Sequence, residues 1–391
     1  MSKLIQESKA SGKKLFLQFG GQGSPYLKEV TKLYKEEPLL KEFFEVVFFT
    51  LNELEPLFSK KDQRFEHGFD LKTWMENPES APSEDYQARA SVSVVMIFIT
   101  QIAQYYLFTL KGYSSSELAS VVGGATGHSQ GIISATFAAL NLSGNEFLEA
   151  LKNFTKFIFY LGYHAQGSFM EFEYSQEVIE GNAKNGDKSP SPMVAVIGYT
   201  KEELEQKVSK FNTELNLQGK DVIYISLYNT PDSMILSGRP ESLLKFRSMY
   251  KAEMDETKKK FVYLKTSAPF HCPFTQDSWN GFLSDFQAGK FLFPYKNSDL
   301  KFPVFSIFDG EDYRTKNVDL LEVLYKDVVI RPLYWDKALG VLFTNPNIGY
   351  VVDFGPGVVS SRLTSGQLAP RGINIPVYCT ANPKDLKNLF E

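Results

Sequence analysis

The sequence predicts an α/β architecture with two packed cores: a main domain and a smaller ferredoxin-like unit inserted into it. Two short apolar runs end in glycine-rich turns, Leu15–Phe19 before Gly20-Gly21-Gln22-Gly23 and Val121-Val122 before Gly123–Gly131, and read as buried strands feeding loops. Segments with apolar residues at helical spacing lie between and after them. From Pro192 to Lys265 the pattern changes to the order β-α-β-β-α-β, which is that of a ferredoxin-like fold.

In chain order, the start MSKLIQESKASGKK reads as a polar tail without the apolar core of a signal peptide. The turn after strand Leu15–Phe19 is the first candidate site. Helical spacing then runs from Thr31 to Phe58, and a more apolar helix from Ser91 to Leu110 follows a Pro/Ser/Glu-rich connection at Asn77–Asp85. Val121-Val122, the turn Gly123–Gly131 and the segment Ile132–Leu140 read as strand, sharp turn and helix. The inserted unit is expected to comprise strand Met193–Ile197, helix Lys201–Phe211, strands Val222–Leu227 and Ser233–Ser237, helix Pro240–Tyr250 and strand Phe261–Lys265. The polar stretch Glu180–Ser191 precedes it and Asp255–Lys260 lies near its end, so residues 191–266 are assigned to the insertion. Residues 1–190 and 267–391 are assigned to the main domain, which resumes near Ala268.

With 391 residues, 43% of them hydrophobic, the chain holds more apolar material than one small core needs. A net charge of -4, from 42 basic and 46 acidic side chains, supplies no global positive field, so nucleic acid is not an expected partner. Two cysteines, Cys272 and Cys379, build no disulfide framework, and the expected home is a reducing cytoplasm. No apolar run reaches the roughly 18 residues of a membrane span, because the most apolar stretch, Val92–Leu110, is broken by Gln101 and Gln104. A soluble protein is expected, with no membrane partner and no metal site.

Gly127-His128-Ser129-Gln130-Gly131 fits G-x-S-x-G, in which flanking glycines let a strand-to-helix turn strain until the serine oxygen points out above a sheet. A structural Gly/Ser turn gives the same five letters, but the preceding apolar run and following helix supply the context a nucleophile needs. A serine hydroxyl also needs a neighbouring base, and the chain has four histidines. His67 sits in a polar loop, His128 adjoins the serine, and His164 closes a helix, where it suits a cap interacting with the dipole. His271, in Ser267-Ala268-Pro269-Phe270-His271-Cys272-Pro273-Phe274, is held between two prolines and two phenylalanines. That setting suits a satisfied core histidine as well as a fixed catalytic imidazole. Cys272 is a rival nucleophile, set aside because adjacent residues on one strand point to opposite faces. Gly20-Gly21-Gln22-Gly23 lacks the Gly-Lys-Ser/Thr of a phosphate loop and the second spacing of a dinucleotide fingerprint, and reads better as an oxyanion loop.

Phe19-Gly20-Gly21-Gln22-Gly23, Gly124–Gly131, Ala268-Pro269-Phe270-His271 and Asp353-Phe354-Gly355-Pro356-Gly357 occur in that order, and with them the chain resembles the malonyl/acetyl transacylase superfamily. More particularly, it resembles the acetyltransferase domain of the fungal type I fatty acid synthase β subunit. That domain also shows segments like Trp74-Met75-Glu76-Asn77-Pro78, Ser191-Pro192-Met193, Leu236-Ser237-Gly238 and Phe308-Asp309-Gly310. The likeness runs from about Leu15 to Tyr378. It implies an α/β-hydrolase-like core with a ferredoxin-like insertion, an active site between them and a ping-pong transfer of an acyl group from acyl-CoA to a holo acyl carrier protein. Ser129 matches the family's nucleophile, His271 its base, and the backbone amides of Gln22 and Gln130 its oxyanion donors. Asn229 and Ser93 fall where the family lines its pocket. The dyad takes no third carboxylate, and a main-chain carbonyl near Val328 is expected to orient the imidazole. No tightly bound cofactor is implied; the phosphopantetheine belongs to the carrier, and other fatty acid synthase components are possible partners.

One departure bears on substrate. Malonyl-selective relatives carry an arginine where ungapped counting here reaches Phe154, 25 residues beyond Ser129, and no arginine lies nearby. The expected substrate is therefore acetyl or another neutral acyl starter, in fatty acid or polyketide synthesis. A malonyl-type transacylase, a thioesterase on the same site and an inactive docking module are the alternatives. Beginning almost at the Gly-Gly-Gln-Gly loop and ending after the core, the chain reads as a free-standing enzyme or an excised domain.

Overall fold

The structure, a computed structural model, describes residues 3–57, 61–187 and 189–390. Among the described residues nine strands form two sheets. Strands β1 (Lys14–Phe19), β2 (Val122–Gly127), β8 (Ile348–Asp353) and β9 (Val377–Cys379) make a parallel sheet in the order β2-β1-β8-β9. β1 is central because Leu15, Phe16, Leu17 and Phe19 are all fully buried, as a strand covered on both faces requires. In parallel α/β sheets the loops that leave the carboxyl ends of strands build the binding crevice. Here β1 ends into Gly20–Gly23, β2 into His128-Ser129 and β8 into Phe354–Gly357, so three sequence motifs meet along one edge.

β2 differs from its expected form. Val121 closes a helix, Ser115–Val121, and the strand runs on through Gly123 and Gly124. A Cβ at Gly123 would come within 2.5 Å of Ile348 Cδ1, and one at Gly124 within 2.6 Å of the Phe305 ring, so neighbouring side chains fill the space those residues leave. The N-terminal segment is also a helix, Lys3–Ser11, rather than a tail, with Leu4 and Ile5 buried. The helix expected over Thr31–Phe58 breaks at Glu37-Pro38 into Leu27–Glu36 and Lys41–Leu54, because proline removes a donor and displaces the preceding residue from helical geometry. Its expected end, Phe58, lies outside the described residues.

The second sheet has the order β6-β3-β5-β4-β7, from β3 (Met193–Ile197), β4 (Tyr224–Thr230), β5 (Ser233–Ser237), β6 (Lys260–Tyr263) and β7 (Leu333–Tyr334). The first four pair antiparallel and alternate with helices Lys201–Glu214 and Pro240–Glu256 in the ferredoxin-like order. β7, only two residues long, joins from outside that unit and pairs parallel to β4. Strand alternation divides the sheet's faces. Val194, Val196 and Leu236 pack with Leu204, Phe211, Leu243 and Phe246 into a separate core, whereas Met193, Ala195 and Ile235 turn towards the parallel sheet.

Helix Ala90–Leu110 is buried around nearly its whole circumference. Contrary to the sequence-based expectation, it is long and apolar enough to cross a membrane by length and composition, but it runs through the protein's core. Its polar interruptions make internal bonds. Gln101 Nε2 donates to Gly20 O and Gly355 O at 2.6 and 2.7 Å, and Gln104 Nε2 donates to Glu29 Oε1 at 3.0 Å. Gln101 thereby joins the loops after β1 and β8, which are also tied by Gly20 N–H donating to Gly355 O at 2.8 Å.

Candidate active site

Ser129 sits at the apex between β2 and helix Gly131–Ala139 with φ +55°, a left-handed conformation that a serine rarely adopts. The two glycines of the motif make that apex possible. A Cβ on Gly127 would overlap the Gly131 carbonyl carbon at 1.8 Å, and one on Gly131 would lie 2.3 Å from Phe19 O. His128 N–H donates to Phe19 O at 2.7 Å, which holds the elbow against the end of β1.

His271 reaches the serine from the opposite wall, with its Nε2 2.7 Å from Ser129 Oγ. It too has positive φ, +60°, and its backbone N–H donates to Val329 O at 2.9 Å. Its Nδ1 donates to Arg331 O at 3.0 Å. Because a carbonyl only accepts, this bond puts the ring proton on Nδ1 and leaves the Nε2 lone pair facing the serine hydroxyl. The orienting carbonyl was expected near Val328. It belongs to Arg331, just past helix Leu320–Val329, where the chain turns back over the ring. Arg331 is held in turn by Nη1 donating to Asp327 Oδ1 at 3.0 Å, and buried Asp327 also accepts from Ser306 and Tyr313. Burial pushes the His271 pKa down to about 3; the Arg331 carbonyl opposes that shift. The imidazole is therefore the free base at neutral pH.

Of the remaining sequence-derived residues, Gln22, Gln130 and Asn229 lie at the serine's site, whereas Ser93 and Phe154, expected to line the pocket, do not line the cavity of Ser129. Gln22, in the loop after β1, lines the cavity of Ser129, and Gln130 follows the serine as the N-cap of helix Gly131–Ala139, whose dipole favours negative charge there. Their side chains point elsewhere: Gln22 Nε2 donates to Ser93 Oγ at 2.6 Å and Gln130 Nε2 to Val94 O at 3.1 Å. Asn229 lines the cavity, accepting at Oδ1 from His128 Nε2 at 2.7 Å, while Gln367 Nε2 donates to its carbonyl at 2.8 Å. Burial lowers the His128 pKa to about 4, so this imidazole is neutral as well. Ser93 lies at the start of helix Ala90–Leu110 and lines a neighbouring chamber.

Phe154 is corrected. It lies in the interior of helix Gly144–Gly167 with no exposed surface, stacked on Phe98 at 6.2 Å and packed against Phe137, Phe293 and Tyr295. It does not line the cavity of Ser129. No basic side chain of that helix near position 154 takes its place: Lys152 and Lys156 pair with Glu53, and His164 pairs with Asp285. The reason for setting Cys272 aside changes too. Residues 271 and 272 are not in a strand; Cys272 is inert because it is buried, its Sγ donates to Pro269 O and burial pushes its pKa up to about 12.

The cavity over Ser129 and His271 measures about 290 Å³ and lies between the two sheets. Its walls are mainly apolar, from Met193, Ala195, Leu227, Ile235, Leu264 and Phe270. Lys265 is the one lysine or arginine among its described lining residues, and it pairs with Glu84 at the surface. Among the described residues no group of three or more His, Cys, Asp or Glu could hold a metal ion. The Gln101 bridge and the Arg331–Asp327 pair are parts of the site that sequence reasoning missed. Neither belongs to a recognisable motif.

Fold and site together define an α/β acyltransferase with a ferredoxin-like insertion. Solved structures share the fold: MCAT from Streptococcus pneumoniae matches with a TM-score of 0.66 at 18% identity, covering 96% of this chain and 99% of that one. The malonyl CoA-acyl carrier protein transacylase of Coxiella burnetii matches with a TM-score of 0.68 at 18% identity, covering 97% of each. Residues 17–271 match the family described as starter unit:ACP transacylase in aflatoxin biosynthesis, and the chain belongs to that family. In sequence it is similar to the fatty acid synthase subunit beta of Saccharomyces cerevisiae, 28% identical over 389 residues, covering 94% of this chain and 18% of that protein. The Schizosaccharomyces pombe subunit is 28% identical over 412 residues, covering 100% of this chain and 19% of that protein. The chain thus spans about a fifth of the length of these relatives.

Proposed function

We propose that this chain transfers a neutral acyl group from coenzyme A to the phosphopantetheine thiol of a holo acyl carrier protein through an ester on Ser129. The observation that carries the reading is the 2.7 Å approach of His271 Nε2 to Ser129 Oγ inside an apolar cavity. Ser129 Oγ attacks the thioester carbonyl carbon as its proton passes to His271 Nε2. The developing oxyanion is held by the Gln22 and Gln130 amides, aided by the N-terminus of helix Gly131–Ala139. The C–S bond then breaks, and the departing thiolate takes the proton back from Nε2. The carrier thiol repeats the sequence in reverse, giving its proton to His271 as its sulfur attacks the ester.

Preference for a neutral acyl group rests on the cavity walls rather than on Phe154. A malonyl carboxylate would enter an apolar enclosure whose one described cation is already paired at the surface. An unpaired buried carboxylate costs several kcal/mol. At about 1.4 kcal/mol per factor of ten, acetyl should lead malonyl in acylation by roughly a hundredfold. The carrier would belong to a fatty acid or polyketide synthase in the cytoplasm, with no resident cofactor on this chain. The test offers the acyl-enzyme holo carrier, apo carrier or water, with acetyl- and malonyl-CoA competing in the loading step. Transfer to holo carrier alone with acetyl preferred supports the reading; rapid loss to water makes the chain a thioesterase, and efficient malonyl loading makes it a malonyl-type enzyme.

A further inference from the structure

Two cavities meet at the loop after β1. Beside the cavity of Ser129 lies a chamber of about 610 Å³, and both are lined by Gln22, Gly23, Ser24 and Lys265. We propose that this chamber receives the tail of an acyl group longer than acetyl, and that the hydrogen bond from Gln22 Nε2 to Ser93 Oγ is the gate between the two spaces. This extends the acyl-transfer reading and rests on it.

The walls choose between the two ends of a thioester. Pro25, Tyr26, Ala88 and Ile97 give the chamber a largely apolar lining. Several of its polar groups are already paired: Tyr26 Oη donates to Gln87 O at 2.7 Å, Gln87 Nε2 donates to Pro82 O at 2.7 Å, and Lys265 pairs with Glu84. An alkyl tail asks for no hydrogen bonds, whereas a pantetheine arm would bring two amides that need partners. The chamber therefore suits the tail, and the arm keeps to the side of Asn229.

The gate can open without orphaning a buried group. Gln22 lines both spaces, so rotation of its side chain alone clears the passage without moving the loop after β1. Once released, Ser93 Oγ keeps the Ala88 carbonyl, 3.4 Å away, as an acceptor. An acetyl group is too short to need the passage; a medium-length chain must displace Gln22.

The test measures single-turnover acylation of the full chain by octanoyl-CoA and acetyl-CoA, read by intact mass, as a ratio of the two rates. Ala88 is partly exposed with φ -82° and ψ -9°, so Ala88→Phe places a ring in the chamber without backbone strain. That variant should lower the octanoyl-to-acetyl ratio by at least about tenfold, the scale on which a filled hydrophobic pocket discriminates chain length. Ser93→Ala, which frees Gln22, should raise the ratio, and it decides the matter alone if Ala88→Phe does not fold. A ratio that moves less than about twofold in the folded variants overturns the chamber and leaves acyl transfer standing. If neither ester loads the unmutated chain, the acyl-transfer reading falls and takes the chamber with it.

Discussion

Replacing Phe154 by arginine distinguishes a substrate contact from a core residue. Counting along the sequence puts position 154 where an arginine would grip malonate; the structure puts it among Phe98, Phe137, Phe293 and Tyr295 with no exposed surface. Truncating a buried phenylalanine costs about 3–5 kcal/mol. Burying a guanidinium without a partner adds several kcal/mol more. Together these rival the whole stability of a typical domain, about 5–15 kcal/mol. Phe154→Arg should therefore be largely unfolded, or lose most of its denaturation free energy, with no gain in malonyl transfer. Phe154→Leu should remain folded and keep its acyl preference. Urea denaturation followed by circular dichroism, beside acylation by acetyl- and malonyl-CoA, reads both outcomes. An arginine variant with an unchanged midpoint and new malonyl activity would refute the packing assigned to this helix.

Two further predictions concern the dyad and its elbow. Acylation needs neutral His271, and burial holds its pKa near 3, so the base form persists as pH falls well below the usual histidine range. The single-turnover rate should stay nearly flat from pH 8 to about 5, and an inflection near the ordinary histidine value of about 6.5 would contradict the assignment. Gly131→Ala would press a methyl group to 2.3 Å from Phe19 O, so the elbow must shift. A loss of at least about a hundredfold in acylation is expected, since reacting geometry tolerates little displacement. Unimpaired acylation in a folded Gly131→Ala variant would show that the elbow does not set the nucleophile.

What could be read from the sequence follows where side-chain chemistry leaves a mark. Gly127 and Gly131 are required by contacts that exclude any Cβ, so the elbow was legible as a motif. The ferredoxin-like order was legible because β3 and β5 are short apolar runs, MVAVI and SMILS, bounded by turn residues, with helical spacing on either side. The extent of β2 was not: the strand was read at Val121-Val122 but runs to Gly127, because Gly123 and Gly124 erase the apolar pattern of a strand whose space is filled by Ile348 and Phe305. The two-residue β7 is too short to carry a period. The carbonyl that orients His271 belongs to the main chain, which carries no residue signature, and was placed three residues early. Gln101 looked like an interruption of an apolar run and proved to be the bond joining two active-site loops. Phe154 failed because residue counting assumes that two helices keep register across the intervening turn, and burial shows which way its ring faces.

The central claim is an ester on Ser129, and the most direct measurement is the intact mass of the chain after brief exposure to acetyl-CoA, with the modified peptide mapped. The unmutated chain should gain one acetyl group on the peptide containing Ser129 and lose it when holo carrier is added, while folded Ser129→Ala gains nothing. Acetylation that persists in Ser129→Ala, or an unmutated chain that takes up no acyl group from any CoA ester, would contradict the account.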